Sequence, residues 1–326
     1  MERKKVRRRH FVRWVFLAAL VAAIVAVVIN WKWIYDWYLG VSYVPSEDMA
    51  VIRDKLNLTG DGEFLFNAAQ PVLSEAKEFN QNCRQKESET AVLGCYTTGN
   101  IYIYNITAAE LDGIRELTTA HELLHAKWAR MNEDERLEFV ASLTRVFDDN
   151  QELLGDEIEP YDISEKQEEL YVRAGTEIKD LPEDLERHYA EVFRDQDAVV
   201  DFYESYIAVF REIKAKMAGL LEEMEVLKEE IGAKTAEYER QVNQLEADIV
   251  SFNSCAEVEG CFVSEGEFYA RRRQLVAKQG ELEKLNGEIN DLIDEYNVKV
   301  EEYNADVTES NKLQDMINSN SVPEIR

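Results

Sequence analysis

The sequence predicts a helix-rich α+β protein built from an N-terminal transmembrane helix, a compact mixed domain and a long antiparallel coiled-coil hairpin. Three observations carry this expectation. An unbroken apolar run follows a basic N-terminus, residues 45–200 mix turn signals with amphipathic stretches, and a seven-residue apolar repeat runs through the last third of the chain. With 326 residues, 45% of them hydrophobic, the chain can bury a sizeable core.

Residues 1–13 form a basic tail that holds seven of the chain's 37 Lys and Arg beside one of its 65 acidic residues. An apolar stretch from Trp14 to Ile29 follows, with Trp31, Trp33 and Trp37 just beyond it. Cations, hydrocarbon span and interfacial tryptophans in that order read as a signal anchor over residues 14–34, with Lys32 reaching back to the interface. A cleaved signal peptide would show small residues after the apolar run, where this chain has NWKWIYDWYLG. The basic flank then places the N-terminus in the cytoplasm and the bulk of the chain outside, as a single-pass type II membrane protein in contact with lipid through its N-terminal helix.

Everything beyond the tail is strongly acidic. Such a surface repels phosphate backbones, and no basic stripe with interleaved aromatics offsets it, so nucleic acid is excluded as a partner. The four cysteines all follow the span and fall into two close pairs, Cys83 with Cys95 and Cys255 with Cys261. Their spacing does not suit a four-thiolate zinc site, so two local disulfides in an oxidising compartment are expected.

Within the domain at 45–200, AVLGCYT and IYIYN flank Thr98-Gly99-Asn100 as the two strands of a hairpin, the first tied down by Cys83 through Cys95. Thr107 to Glu110 has the pattern of a capping box, and Leu111, Ile114, Leu117, Leu124 and Trp128 continue an apolar stripe through the helix it would start. Beyond it, residues 201–313 carry two heptad series. Met217, Met224, Ile231, Tyr238, Leu245 and Phe252 form the first; Leu275, Leu282, Ile289, Tyr296 and Tyr303 form the second. A short turn joins them, so an antiparallel hairpin pinned by Cys255–Cys261 is the simplest arrangement, with a stripe that drifts toward Val242 and Ile249. Residues 314–326 are a C-terminal tail.

The chemistry concentrates in His121-Glu122-Leu123-Leu124-His125. On a helix, positions four apart share one face a single turn apart, so both imidazoles can meet one zinc ion. Glu122 projects beside them, where it can take a proton from a zinc-activated water and pass it to a leaving amine.

On this motif the chain resembles the zincin metallopeptidases. The likeness is specific over residues 100–131 and extends in looser form to about 190. It implies an HExxH helix beneath a small sheet, with IYIYN, Ile101 to Asn105, as the edge strand that aligns an extended substrate. The elongated HExxHxxGxxH form is excluded because Trp128 and Met131 stand at its glycine and third histidine, and Lys127 occupies a position that is commonly apolar or small. By similarity to the gluzincin branch, a glutamate on a downstream helix is the third ligand. Glu169, in the stretch SEKQEELYVRAGTE, is the match favoured by resemblance. Glu168 is adjacent, Glu177 lies on the apolar face of Ile163, Leu170 and Ala174, and His188 is the remaining histidine beyond the span. His188 is also a candidate to polarise the oxyanion, with Tyr171 and Tyr189 as rivals.

The expected activity is hydrolysis of peptide bonds, as an endopeptidase, in a peptide or protein at the cell surface. Amide hydrolysis in a cell wall would use the same zinc chemistry. The reading from another class is an envelope scaffold whose hairpin binds a protein partner and whose metal site is structural or inactive; the glutamate at position 122 favours the enzyme, because a structural site needs no base.

Overall fold

A computed structural model describes residues 2–83, 92–158 and 161–320. The chain divides into two compact units, Met1–Val209 with Gln314–Arg326, and Phe210–Leu313.

The first unit opens with α1 (Glu2–Ile29) and α2 (Trp31–Ser42). The single helix expected over 14–34 is broken at Asn30, whose side-chain amide donates to the Ala26 carbonyl at 2.8 Å and competes with the backbone ladder. No single described helix is long and apolar enough to cross a membrane. Phe16–Ile29 and Trp31–Ser42 meet the length and composition together, bent by 70°.

There follow α3 (Glu47–Lys55), α4 (Gly60–Ala69), β1 (Val72–Ser74), α5 (Ala76–Asn82), β2 (Gly94–Thr97) and β3 (Asn100–Tyr104). β2 and β3 form the expected hairpin, closed at Thr98 and Gly99 with φ of 52° and 89°, both positive as a type I′ turn requires. The Cys83–Cys95 disulfide ties β2 to the end of α5. β1 pairs parallel with β3, which gives the order β1-β3-β2. Ile101 to Asn105 is therefore not the edge strand: β3 lies in the middle, and β2 is the edge nearer in sequence to the hairpin turn.

After the sheet a 3₁₀ turn over Ala109–Leu111 buries Leu111. The helix does not start at the expected capping box. Gly113, with φ 91°, resets the chain direction, and α6 (Ile114–Trp128) begins after it. A reciprocal capping box does occur one helix later, where Asn132 and Glu135 start α7 (Glu133–Glu138). Then come α8 (Val140–Asp149), α9 (Gln151–Ile158), α10 (Ile163–Glu177) and α11 (Glu183–Tyr189). α6 lies between the sheet and α10. Its Ala120, Leu123 and Leu124 share a core with Ile101 and Ile103 of β3 and with Tyr171 and Val172 of α10, all fully buried.

The long helices α12 (Gln196–Ala256) and α13 (Glu265–Ile317) make up the second unit between Phe210 and Leu313. Of the two heptad series, Leu245, Leu282 and Ile289 are buried and the other members half-buried, while Leu220, Leu227 and Leu313 are buried beside them. The ion pairs show the antiparallel register: Lys216 with Asp306, Glu223 with Lys299, Lys234 with Glu288 and Asp248 with Lys278, each step along one arm matched by a step back on the other. The seam does not drift to Ile249, which is exposed, because Asp248 stays half-buried on it and is paired to Lys278. The Cys255–Cys261 disulfide closes the tip.

Candidate metal centre

The metal-binding potential of α6 depends on how closely α10 approaches it. Gly175 makes that approach possible: a Cβ there would lie 2.5 Å from Leu124 Cδ1 and 2.7 Å from Tyr189 Cε1, closer than real contacts allow. On α6, His121 and His125 stand one turn apart with ring centroids 5.1 Å apart. Opposite them α10 presents Glu169, almost fully buried. Its Oε1 lies 3.7 Å from His121 Nε2 and its Oε2 lies 3.5 Å from His125 Nε2. One donor atom from each of the three residues lies within 4.8 Å of the other two.

Donors held about 2 Å from a tetrahedral centre are themselves about 3.3 Å apart. The 3.7 and 3.5 Å separations, each to a different oxygen of Glu169, are close to that value. Two imidazoles and a carboxylate also form the nitrogen and oxygen set that zinc accepts in sites with an open position. The residues present fit a divalent metal ion.

The electrostatics of the group are those of a paired ligand cluster. Burial lowers the His121 pKa to about 3, so its imidazole is neutral and has a free lone pair. Burial would push His125 down as well, but its hydrogen bonds with Glu168 and Glu169 outweigh that effect and raise it. Burial would push Glu169 up, and it is outweighed in turn by the His125 hydrogen bond and the nearby Arg173 guanidinium, which hold the carboxyl well below the usual range.

The alternatives for the third ligand each have another position. Glu168 Oε1 lies 2.8 Å from His125 Nδ1, the ring nitrogen turned away from Glu169, where a carboxylate fixes tautomer and ring orientation. Glu177 accepts from Arg173 Nη1 at 2.9 Å, while the same guanidinium donates through Nε to Glu169 at 2.8 Å. His188 is not a member of the three-donor group. Its Nε2 lies 3.0 Å from the Tyr171 hydroxyl, and its ring packs against Phe139 in a tilted arrangement with centroids 4.5 Å apart. Tyr189 donates its hydroxyl to the Tyr171 carbonyl, so His188, Tyr171 and Tyr189 form one internal cluster. Lys127 reaches Glu191 at 2.7 Å, which accounts for a cation at that helix position.

Compared with known protein families, curated proteins and solved structures, the chain matches none of them.

Glu122 is buried on α6 beside the edge strand. A Cβ on Gly94 of β2 would fall 2.7 Å from Glu122 Cγ and 2.8 Å from its Oε1, so the missing side chain is what gives Glu122 its place. Three further contributors were not read from the sequence. They are Gly94 in β2, Arg173, which lies four residues from both Glu169 and Glu177, and Arg130. Arg130 binds Asp36 through two bonds of 2.9 and 3.0 Å, and also donates to the Tyr96 hydroxyl and the Ala126 carbonyl. The i,i+4 spacing of Arg173 with Glu177 was a usable signal; the long-range partners of Gly94 and Arg130 left none.

Proposed function

We propose that this chain is a membrane-anchored, extracytoplasmic zinc metallopeptidase that hydrolyses peptide bonds. The observation that carries the reading is the convergence of His121, His125 and Glu169 into one three-donor group with Glu122 buried on the same helix beside an edge strand. His121, His125 and Glu169 would hold the metal. When bound, zinc supplies a Lewis acid and lowers the pKa of water at an open position.

The chain's own residues do the rest. Glu122 accepts the proton of the attacking water and returns it to the leaving amine. Glu168 orients His125, and Arg173 fixes the Glu169 carboxylate. Among the described residues no strand pairs with the outer side of β2. The Tyr104 amide donates to the Leu93 carbonyl, so alternation along the ladder turns the backbone groups of Gly94 and Tyr96 outward. An extended peptide pairing there would run past Glu122.

The second reading, a scaffold, is supported by the hairpin tip, where Val258 and Val263 are exposed beside the Phe252, Phe262 and Phe268 cluster. A base in the metal site favours the enzyme over it.

Metal analysis and peptide cleavage on the purified chain decide between them. Wild type should hold one zinc per chain and cleave. Glu122→Gln should keep the metal and lose activity by about 10²–10⁴-fold, the range for a general base, whereas His121→Ala and His125→Ala lose the metal itself. Undiminished cleavage by Glu122→Gln sinks the mechanism.

A further inference from the structure

We propose that α2 lies in the headgroup region of a lipid bilayer, resting on a stripe made by Ile34, Trp37, Tyr38 and Val41, and so holds the metal helix beside the membrane surface. The inference rests on the reading of α1 as a membrane anchor, and it assigns α2 to the interface rather than to the span.

α2 carries two stripes at helical spacing. Asp36, Leu39 and Gly40, with Tyr43 just past the helix end, are half-buried and face the unit. Gly40 lies against Asn67 and Ala68 of α4, Gln70 donates to the Leu39 carbonyl, and the Tyr43 hydroxyl donates to the Pro71 carbonyl. α2 is thus fixed on the folded unit. The opposite stripe is outside it: Trp37 is 51% exposed, Tyr38 63% and Val41 68%. None of its four residues is charged, and the one acid of the helix, Asp36, is on the packed side.

Three observations select lipid as the occupant. The stripe continues directly from α1, whose side chains from Phe16 to Ile29 are apolar and exposed on every side. The 70° bend at Asn30 turns α2 toward the membrane plane if α1 runs near the normal. The exposed side chains are also the types that concentrate at membrane interfaces, tryptophan and tyrosine with an apolar body and a polar tip. With α2 at the interface, α1 alone is left for the apolar layer; its Trp14–Ile29 stretch is about 24 Å long at 1.5 Å per residue, shorter than the hydrocarbon core, so the inference requires local thinning of the bilayer around α1.

The same helix is linked to the site. Through Asp36 it holds Arg130, and Arg130 holds the Tyr96 hydroxyl on β2 and the Ala126 carbonyl near the end of α6. A peptide segment close to the bilayer is the substrate geometry this favours.

The test uses the full chain in nanodiscs with its five tryptophans replaced by fluorotryptophan, each fluorine resonance assigned by a single Trp→Phe substitution. Lipid carrying a nitroxide on its headgroup should broaden the Trp37 and Trp14 resonances, and Trp37 more than Trp128, which is buried in the folded unit. If Trp14 broadens and Trp37 does not, the anchor holds and the inference is overturned. If neither broadens, the anchor reading fails and takes the inference with it. Shielding of Trp37 from an aqueous gadolinium chelate without broadening by the lipid label identifies a protein occupant, such as a second copy of the chain, and also overturns it.

Discussion

Two adjacent glutamates illustrate how much one residue's placement decides. Glu168 and Glu169 are alike in charge and helix propensity, but consecutive positions on a helix differ by about 100°. Glu169 therefore faces both Nε2 atoms, and Glu168 meets the far side of one ring. The expected ranking follows. Glu169→Ala removes a ligand and should lower zinc affinity most; Glu168→Ala should cost about 10–100-fold, the usual effect of losing a carboxylate behind a metal-bound imidazole; Glu177→Ala should cost less than either. Competition with a chromogenic chelator measures all three, and release of zinc by Glu177→Ala alone would overturn the assignment.

His188 makes a different prediction at the same scale. Burial, reinforced by Lys127, lowers its pKa from 6.5 to about 4. A histidine whose folded pKa is depressed contributes its full stability above the unfolded value and loses it as pH falls through the folded one. The neutral ring next to Tyr171 should thus lose about 1–2 kcal/mol between pH 7 and pH 5, as the unfolded imidazole gains a proton that the folded one resists. Urea midpoints of wild type and His188→Asn at the two pH values read this directly. The stability gap between them should narrow toward pH 5, and a constant gap would show that His188 is not the group responsible.

Among the elements, β2 is the short strand with the most consequence. Residue 94 must lack a side chain for Glu122 to lie against the strand, since a Cβ would also fall 2.6 Å from Thr118 Cγ2. Gly94→Ala should therefore keep zinc, because none of the three donors is touched, and lower kcat at least tenfold by displacing the base. Loss of metal and activity together would mean that the strand supports the whole site instead. Local signals made the hairpin legible: a turn at Thr98-Gly99 between alternating strands, and a cysteine pair at a separation a disulfide can close. The order of the sheet was not legible. β1 is three residues long and pairs parallel with β3, and that long-range pairing moved Ile101–Tyr104 from the edge to the middle. The helix start at Gly113 was hidden for a related reason, since Leu111 is buried by a 3₁₀ turn that the expected capping box did not reveal. The coiled coil was more legible because a heptad repeats its signal many times. Only the drift expected toward Ile249 misled, since Asp248 stays on the seam by pairing with a lysine on the opposite arm.

At the scale of the molecule, the hairpin interrupts the unit that holds the candidate metal site instead of following it. Residues 314–326 belong with the first unit, where the Ser319 hydroxyl donates to Asn80 and its carbonyl accepts from the same side chain. Phe202 lies beyond the boundary expected at 200 and packs against Gly113, where α6 begins. A chain cut at Asp201 loses both contacts, so it should be less stable than one from which only the second unit is removed. Lys216 reaches Asp306 at 2.6 Å, so the two arms are neighbours toward the open end of the hairpin, and we expect that Val209 and Gln314 can be joined by a short glycine-serine linker. We expect the chain lacking Phe210–Leu313 and closed in this way to fold, bind zinc and cleave a small unstructured peptide at close to the full-length rate, because none of the donors, the base or the edge strand comes from the excised residues. It should lose preference for its natural substrate or partner, since a paired-helix rod of this length can reach a distant contact. Thermal unfolding, zinc content and cleavage compared across the full, excised and Asp201-terminated chains provide the check. If the excised chain folds and holds zinc but cleaves no peptide, while the full chain also cleaves none and the hairpin alone binds the partner, the scaffold reading replaces the enzyme.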